Sequence, residues 1–377
     1  MSANPPSFAK RLLFYGITVV MVLLLFELFS RAYYYHYLSR HPVAFIQVLK
    51  DVKNKARAIA ATDTLEQRDE KVRELLRPGF PKAESIEINR EQGEANRAVY
   101  KPWVEFAFRD FAGKYINVTD HIRKSLPDRS DSLAKDAFTI WFLGGSTMYG
   151  FNVTDAETIP AAFVRAYRLT HPGGRPIRVF NLGMPFYYSY QELIMLTDRL
   201  FRGQKPDMIV MLDGLNECIS ANNSVKRVPA FAIGKGDSYR PGAKEDAEKQ
   251  LEDFPEMPPD MSVDSASKIV SGQYLENIRH AHDLAGLYHI PVYCFWQPVP
   301  YYNYPNRFND PFCSHAQSPR FERIYALVRD NGAVLPWFFF LGDMLKNEKG
   351  LPFIDQIHYS PQFSSAVAEK MLSLLPL

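Results

Sequence analysis

Cysteine is scarce in this chain, with three residues among 377, which excludes a disulfide scaffold. Cys218, Cys294 and Cys313 show no CxxC spacing, so no structural zinc site is expected. A Cys294–Cys313 bridge in an exported domain and a set of buried, unpaired thiols both fit the spacing. A surplus of either charge is also missing: 44 Lys and Arg face 42 Asp and Glu, a net charge of +2. That is too little to drive binding of a phosphate backbone by counterion release, and nucleic acid is not expected as a partner. Neither GxGxxG nor GK[ST] is present, which removes the common nucleotide cradles. GxSxG, the nucleophile elbow of one large hydrolase class, is absent too. His280 and His282 sit two apart in a helical stretch and point to different faces, so they make poor metal ligands. No metal and no cofactor are expected.

What is present is apolar: 46% hydrophobic and 14% aromatic residues allow a sizeable core and exclude a disordered chain. Residues 12–26 carry no charge, and the apolar run continues past Glu27 to Ser30. That approaches the ~20 residues needed to span a bilayer as a helix. Lys10 and Arg11 precede the run, and Tyr33, Tyr34 and Tyr35 follow it as an interfacial aromatic belt would. A cleaved signal peptide is the competing reading, with Ser30 and Ala32 as a weak small-x-small site; the length of the run favours an anchor. The expected order is a short cytoplasmic tail (1–11), a transmembrane anchor (12–30), a juxtamembrane stalk and aromatic lead-in (31–136) and a catalytic domain (137–377) outside the cytoplasm.

From residue 137 the pattern changes. Apolar runs of strand length at 138–143, 177–181, 208–212, 291–295 and 334–341 alternate with helical stretches at 158–169, 189–201, 273–288, 319–329 and 361–374. This alternation predicts βαβ crossovers and a parallel sheet covered on both faces, a three-layer α/β/α sandwich. Residues 221–268, rich in Pro, Gly, Asp, Glu and Ser, predict a long loop of the kind that is usually functional or mobile.

Ligands of open parallel sheets bind beyond the carboxyl ends of the strands, and four strand ends carry chemistry. Gly144-Gly145-Ser146-Thr147 turns sharply and presents a hydroxyl. Leu182-Gly183-Met184-Pro185 offers a backbone N–H, and Asp213-Gly214-Leu215-Asn216-Glu217 offers an amide. Near the C-terminus, Asp355-Gln356-Ile357-His358 precedes Ser360-Pro361, a helix N-cap with proline in the first turn. Each motif alone is weak; their order along one sheet edge supplies what acyl transfer needs. Ser146 is the candidate nucleophile, His358 its base and Asp355 the group that orients the imidazole. The N–H groups of Ser146 and Gly183 and the side-chain amide of Asn216 are the candidate oxyanion donors. Tyr187, within the aromatic cluster Phe186-Tyr187-Tyr188-Ser189-Tyr190, and Gln297 are candidate substrate contacts, with core packing the competing role for both. Asn117, Asn152 and Asn222 begin N-x-[ST] triplets at a frequency close to chance.

These residues resemble the SGNH (GDSL) hydrolases. The Ser, Gly, Asn and His that name the family correspond in order to Ser146, Gly183, Asn216 and His358, and Asp355 to the Asp of its DxxH block. The stretch GGSTMYGFNVTDAETIPAAF is similar to membrane-anchored bacterial members, several of them associated with cell-surface polysaccharide. The chain departs from the family pattern in having Gly-Gly-Ser rather than Gly-Asp-Ser and Asn216-Glu217 rather than Asn-Asp. The resemblance implies a single-pass protein of the bacterial inner membrane, with a periplasmic serine esterase acting on an acylated, especially acetylated, glycan or related ester. Two alternatives use the same residues: an O-acyltransferase served by a membrane-bound acyl donor, and a catalytically idle subunit of a polysaccharide assembly.

Overall fold

The computed structural model describes Met21, Leu25 and residues 82–101, 104–125, 136–220, 261–308, 310 and 318–377. The chain divides into two units, Met1–Glu70 and Lys71–Leu377. In the first, Met21 and Leu25 are helical and exposed; the rest of the expected anchor, the stalk up to residue 81 and Cys313 lie outside the described residues. Among the described residues no helix is long and apolar enough to cross a membrane.

The second unit opens with helix α1 (Lys82–Ala95) and strands β1 (Ala98–Lys101), β2 (Glu105–Phe108), β3 (Phe111–Ala112), β4 (Asn117–Thr119) and β5 (Ile122–Arg123). Strand β6 (Phe138–Gly144) leads through α2 (Ser146–Tyr149) into α3 (Ile159–Thr170), then β7 (Ile177–Asn181), α4 (Ser189–Phe201), β8 (Met208–Asp213) and α5 (Leu215–Ser220). After α6 (Val263–Gly286) come β9 (Val292–Trp296), α7 (Pro319–Gly332), β10 (Phe338–Phe340) and α8 (Pro361–Leu372).

β1 and β2 form a separate antiparallel pair, and the main sheet runs β10-β9-β8-β6-β7-β5-β4-β3. The five strands β6 to β10 are parallel to one another, with Gly144 opposite Leu212 and Asp213 opposite Trp296. The purely parallel sheet expected from the alternation is thus corrected to a mixed one. Part of the lead-in adds three short antiparallel strands through the Arg123–Asn181 pairing. Runs of two or three residues are too short to show a periodicity of two.

Alternate residues of β6 explain the two outer layers. Ile140 and Phe142 pack with α3 and α8, whereas Trp141 and Leu143 pack with α4, α6 and α7. Phe142 and Leu143 are fully buried, and such side chains contribute about 1.5–3 kcal/mol each. Helix starts follow a repeated hydroxyl-proline signature: Thr158, Ser318 and Ser360 accept the N–H of Ala161, Phe321 and Phe363, with proline in the first turn each time. Such a cap is worth about 1 kcal/mol.

Two boundaries moved by four residues or more. β10 covers only Phe338–Phe340 of the expected 334–341. α6 starts at Val263, capped by Ser262, rather than at 273, so the last part of the expected loop is helix and residues 221–260 lie outside the described residues. Cys218 and Cys294 are buried free thiols.

Candidate active site

Ser146 follows β6 at the sheet edge where the sequence places it, on the first residue of α2. The two preceding glycines are required by crowding. A Cβ at Gly145 would lie 2.6 Å from Asn216 Nδ2 and 3.3 Å from the Tyr187 carbonyl oxygen, so only glycine lets this turn approach the Asn216 loop. The serine is 7% exposed. Its carbonyl accepts the N–H groups of Gly150 and Phe151, at 3.1 Å each, which closes the turn after α2.

That turn carries two residues across to the acid–base pair. The Phe151 ring stacks on the His358 imidazole with centroids 4.4 Å apart and planes 20° from parallel. Asn152 Nδ2 donates to Asp355 Oδ2 at 2.8 Å. Asn152 itself has φ 62°, a left-handed conformation that asparagine tolerates better than most residues, and its N–H donates to Gln92 Oε1 on α1.

His358 and Asp355 are joined directly, with Nδ1 at 2.7 Å from Oδ2 and 2.9 Å from Oδ1. The N–H groups of Ile357 and His358 also donate to Oδ1. The loop is clamped at its base by the Phe353–Tyr359 bridge and by the Tyr359 hydroxyl on the Pro298 carbonyl at 2.6 Å. Burial pushes the Asp355 carboxyl up, but the hydrogen bonds and charge of His358 and the two backbone N–H groups outweigh it and hold the carboxyl below its ordinary value. An ionised Asp355 keeps the imidazole proton on Nδ1 and leaves Nε2 to act as base. No hydrogen bond joins Ser146 to His358 among the described residues. Catalytic hydrogen bonds of this kind tighten when substrate is present.

A small cleft adjoins Ser146, lined by Gly145, Thr147, Gly214, Asn216 and Gln297, among others. Asn216 Nδ2 donates to the Tyr187 carbonyl at 2.6 Å, and its second hydrogen remains for a ligand. Gln297 Oε1 accepts the Thr147 hydroxyl at 2.9 Å, which fixes the Gln297 amide in the cleft wall.

Two of the expected site residues make local contacts of their own. The Gly183 N–H donates to Asn181 Oδ1 at 3.1 Å, and a Cβ there would lie 2.5 Å from Tyr149 N. Its glycine serves the close approach of the β7 exit to α2. Tyr187 lines the cleft, and its side chain is buried and fixed by packing. The hydroxyl donates to the carbonyls of Val104 and Phe106, and the ring packs edge-on against Phe106 at 5.2 Å. The sequence did not single out Phe151, Asn152 or Thr147 for the site. Asn152 stood out only as the start of a glycosylation triplet, and its link to Asp355 spans residues too far apart for spacing to reveal.

No family model matches the chain, and no curated protein matches it. Solved structures do. A gut microbial diltiazem-metabolizing enzyme is 16% identical over 67% of this chain and 48% of its own, with a TM-score of 0.39; the match spans about half of that protein. A protein assigned to the G-D-S-L lipolytic family from Desulfitobacterium hafniense is 13% identical over 63% of this chain and 99% of its own, with a TM-score of 0.38. An acetyl xylan esterase matches with the same identity, coverages and TM-score. The chain is similar to structures of the G-D-S-L type. At this level of likeness the chemistry rests on the side chains described above.

Proposed function

We propose that this chain is a serine esterase of the SGNH type. The observation that carries the reading is the Asp355–His358 pair, bound through Phe151 and Asn152 to the turn that Ser146 begins. In this mechanism Ser146 Oγ attacks the ester carbonyl while His358 Nε2 takes the hydroxyl proton. The oxyanion is met by the Ser146 N–H and the free hydrogen of the Asn216 amide. Collapse expels the alcohol, which takes the proton from His358, and water then releases the acyl group from the serine by the same proton transfers.

The cleft beside Ser146 is small, which favours a short acyl group over a long one, and an acetylated cell-surface glycan is the proposed substrate. The uncharged run at residues 12–26 supports an anchor that holds the catalytic domain at the outer face of a membrane. The test is labelling of the full chain in detergent by a fluorophosphonate probe. Labelling is expected in the parent chain, absent in Ser146→Ala and reduced by at least ~10³-fold in His358→Ala. Labelling that persists in Ser146→Ala, or none in a folded parent chain, would overturn the reading; the second result would point to an idle subunit. A glycan acceptor that gains the acyl group would identify the same residues as an O-acyltransferase.

A further inference from the structure

The face that helix α1 turns inward is not a purely apolar stripe. Ile88, Glu91, Gln92 and Ala95 recur at helical spacing on one side of it, and all four are buried. A buried polar side chain costs stability unless it is hydrogen-bonded, and both polar members find partners on distant loops. Glu91 Oε1 accepts the Lys114 N–H at 2.8 Å, and Oε2 accepts those of Tyr115 and Ile116 at 2.9 Å each, which ties α1 to the β3–β4 loop. Gln92 Oε1 accepts the Asn152 N–H at 3.0 Å, while Gln92 Nε2 donates to Asn96 Oδ1 at 2.6 Å. The second bond fixes which way the Gln92 amide faces, so that its oxygen is held towards Asn152. The two loops are joined in turn by the Asp155 N–H on the Tyr115 carbonyl at 2.9 Å.

Glu91 serves the fold, whereas Gln92 reaches the site. We propose that Gln92 is a positioning residue of the acid–base pair, and that α1 is thereby a working part of the active site. From Asn152 the path runs through Nδ2 to Asp355 Oδ2 at 2.8 Å and from there to His358 Nδ1 at 2.7 Å. The peptide group whose N–H Gln92 holds also follows Phe151, whose ring stacks on the His358 imidazole. One bond from α1 therefore steadies two contacts, the amide on the carboxylate and the ring on the imidazole. It also holds Asn152 at φ 62°, a conformation the chain leaves readily unless its surroundings fix it. Gln92 touches no reacting atom and acts through Asn152; the link to catalysis rests on the esterase reading above.

Kinetics of the full chain in detergent against a small acetyl ester test the role. Gln92→Met, apolar and of similar length, leaves the Asn152 N–H without its acceptor, and kcat should fall about 10-fold with little change in KM. Asn96→Ala is a gentler change at a half-buried residue; it frees the Gln92 amide to turn and should lower kcat about 3-fold. Because the effect travels through Asn152, Gln92→Met in an Asn152→Ala background should cost about 2-fold or less. Glu91→Gln loosens the same helix by weakening its bonds to the β3–β4 loop, and should lower the urea midpoint but not kcat. Unchanged kcat in both Gln92→Met and Asn96→Ala, an undiminished loss in the Asn152→Ala background, or an equal fall in Glu91→Gln would each overturn the positioning role.

A readout independent of activity is amide hydrogen exchange of the peptide carrying Asn152, followed by mass spectrometry. Exchange there should quicken in Gln92→Met and stay near the parent rate in Glu91→Gln. No change in Gln92→Met would show that the bond does not hold the turn, and would overturn the proposal. A parent chain that hydrolyses no ester, beside quickened exchange in Gln92→Met, would refute the esterase reading and leave the brace from α1 standing.

Discussion

Asn152 illustrates how a residue earns its place by geometry rather than by chemical rarity. Its amide grips Asp355, its N–H grips Gln92, and its left-handed backbone brings both within reach. Asn152→Ala should keep the fold but free Asp355 to rotate, and lower kcat against a small acetyl ester by about 10–100-fold with little change in KM. An unaltered kcat would show that the backbone N–H groups of Ile357 and His358 suffice to hold the carboxylate. Of the proposed site, the sequence singled out the groups whose chemistry is unusual in a turn: Ser146 after two glycines, Asn216, and the Asp355–His358 spacing. At Gly183 the sequence shows that a position needs no side chain, but not that the space is taken by the close approach of α2.

At the scale of elements, long apolar strands and capped helices were readable, and short ones were not. α4 matches its expected limits, because its length and its apolar stripe agree. β3, β4 and β5 were invisible, since their identity as strands depends on pairing partners rather than on their own residues. These short strands are secured by charge. Arg123 of β5 is buried, paired with Asp155 and bonded to the Val153 carbonyl at 2.9 Å, and Asp155 also accepts from Asn117 on β4. Burial lowers the guanidinium to about 10, so it remains charged at neutral pH. Arg123→Ala leaves part of that network unpaired and should cost about 3 kcal/mol, whereas Arg123→Met, apolar and of similar length, should cost clearly less. Urea midpoints of the two variants would separate these outcomes.

Across the whole of the second unit, one sheet edge gathers Ser146, Asn216 and Gln297 from three strand ends, while two apolar clusters secure the sheet from opposite sides. The three-layer plan was legible because both faces of β6 and β8 are apolar apart from Thr139 and the terminal Asp213, as a doubly covered sheet demands. The mixed edge was not legible, for the reason given above.

The two buried thiols turn this architecture into its own clock. Cys218 lies two residues after Asn216 in a short helix, and Cys294 lies within strand β9, between β10 and β8. Burial raises both well above the ordinary thiol range, so neither reacts with an alkylating reagent until the chain opens around it. Opening of the Asn216 turn alone exposes one, and opening of the sheet exposes the other. Alkylation followed by peptide mapping should therefore mark Cys218 faster than Cys294 in the native chain. Equal rates at both sites would mean that the turn and the sheet open as one unit.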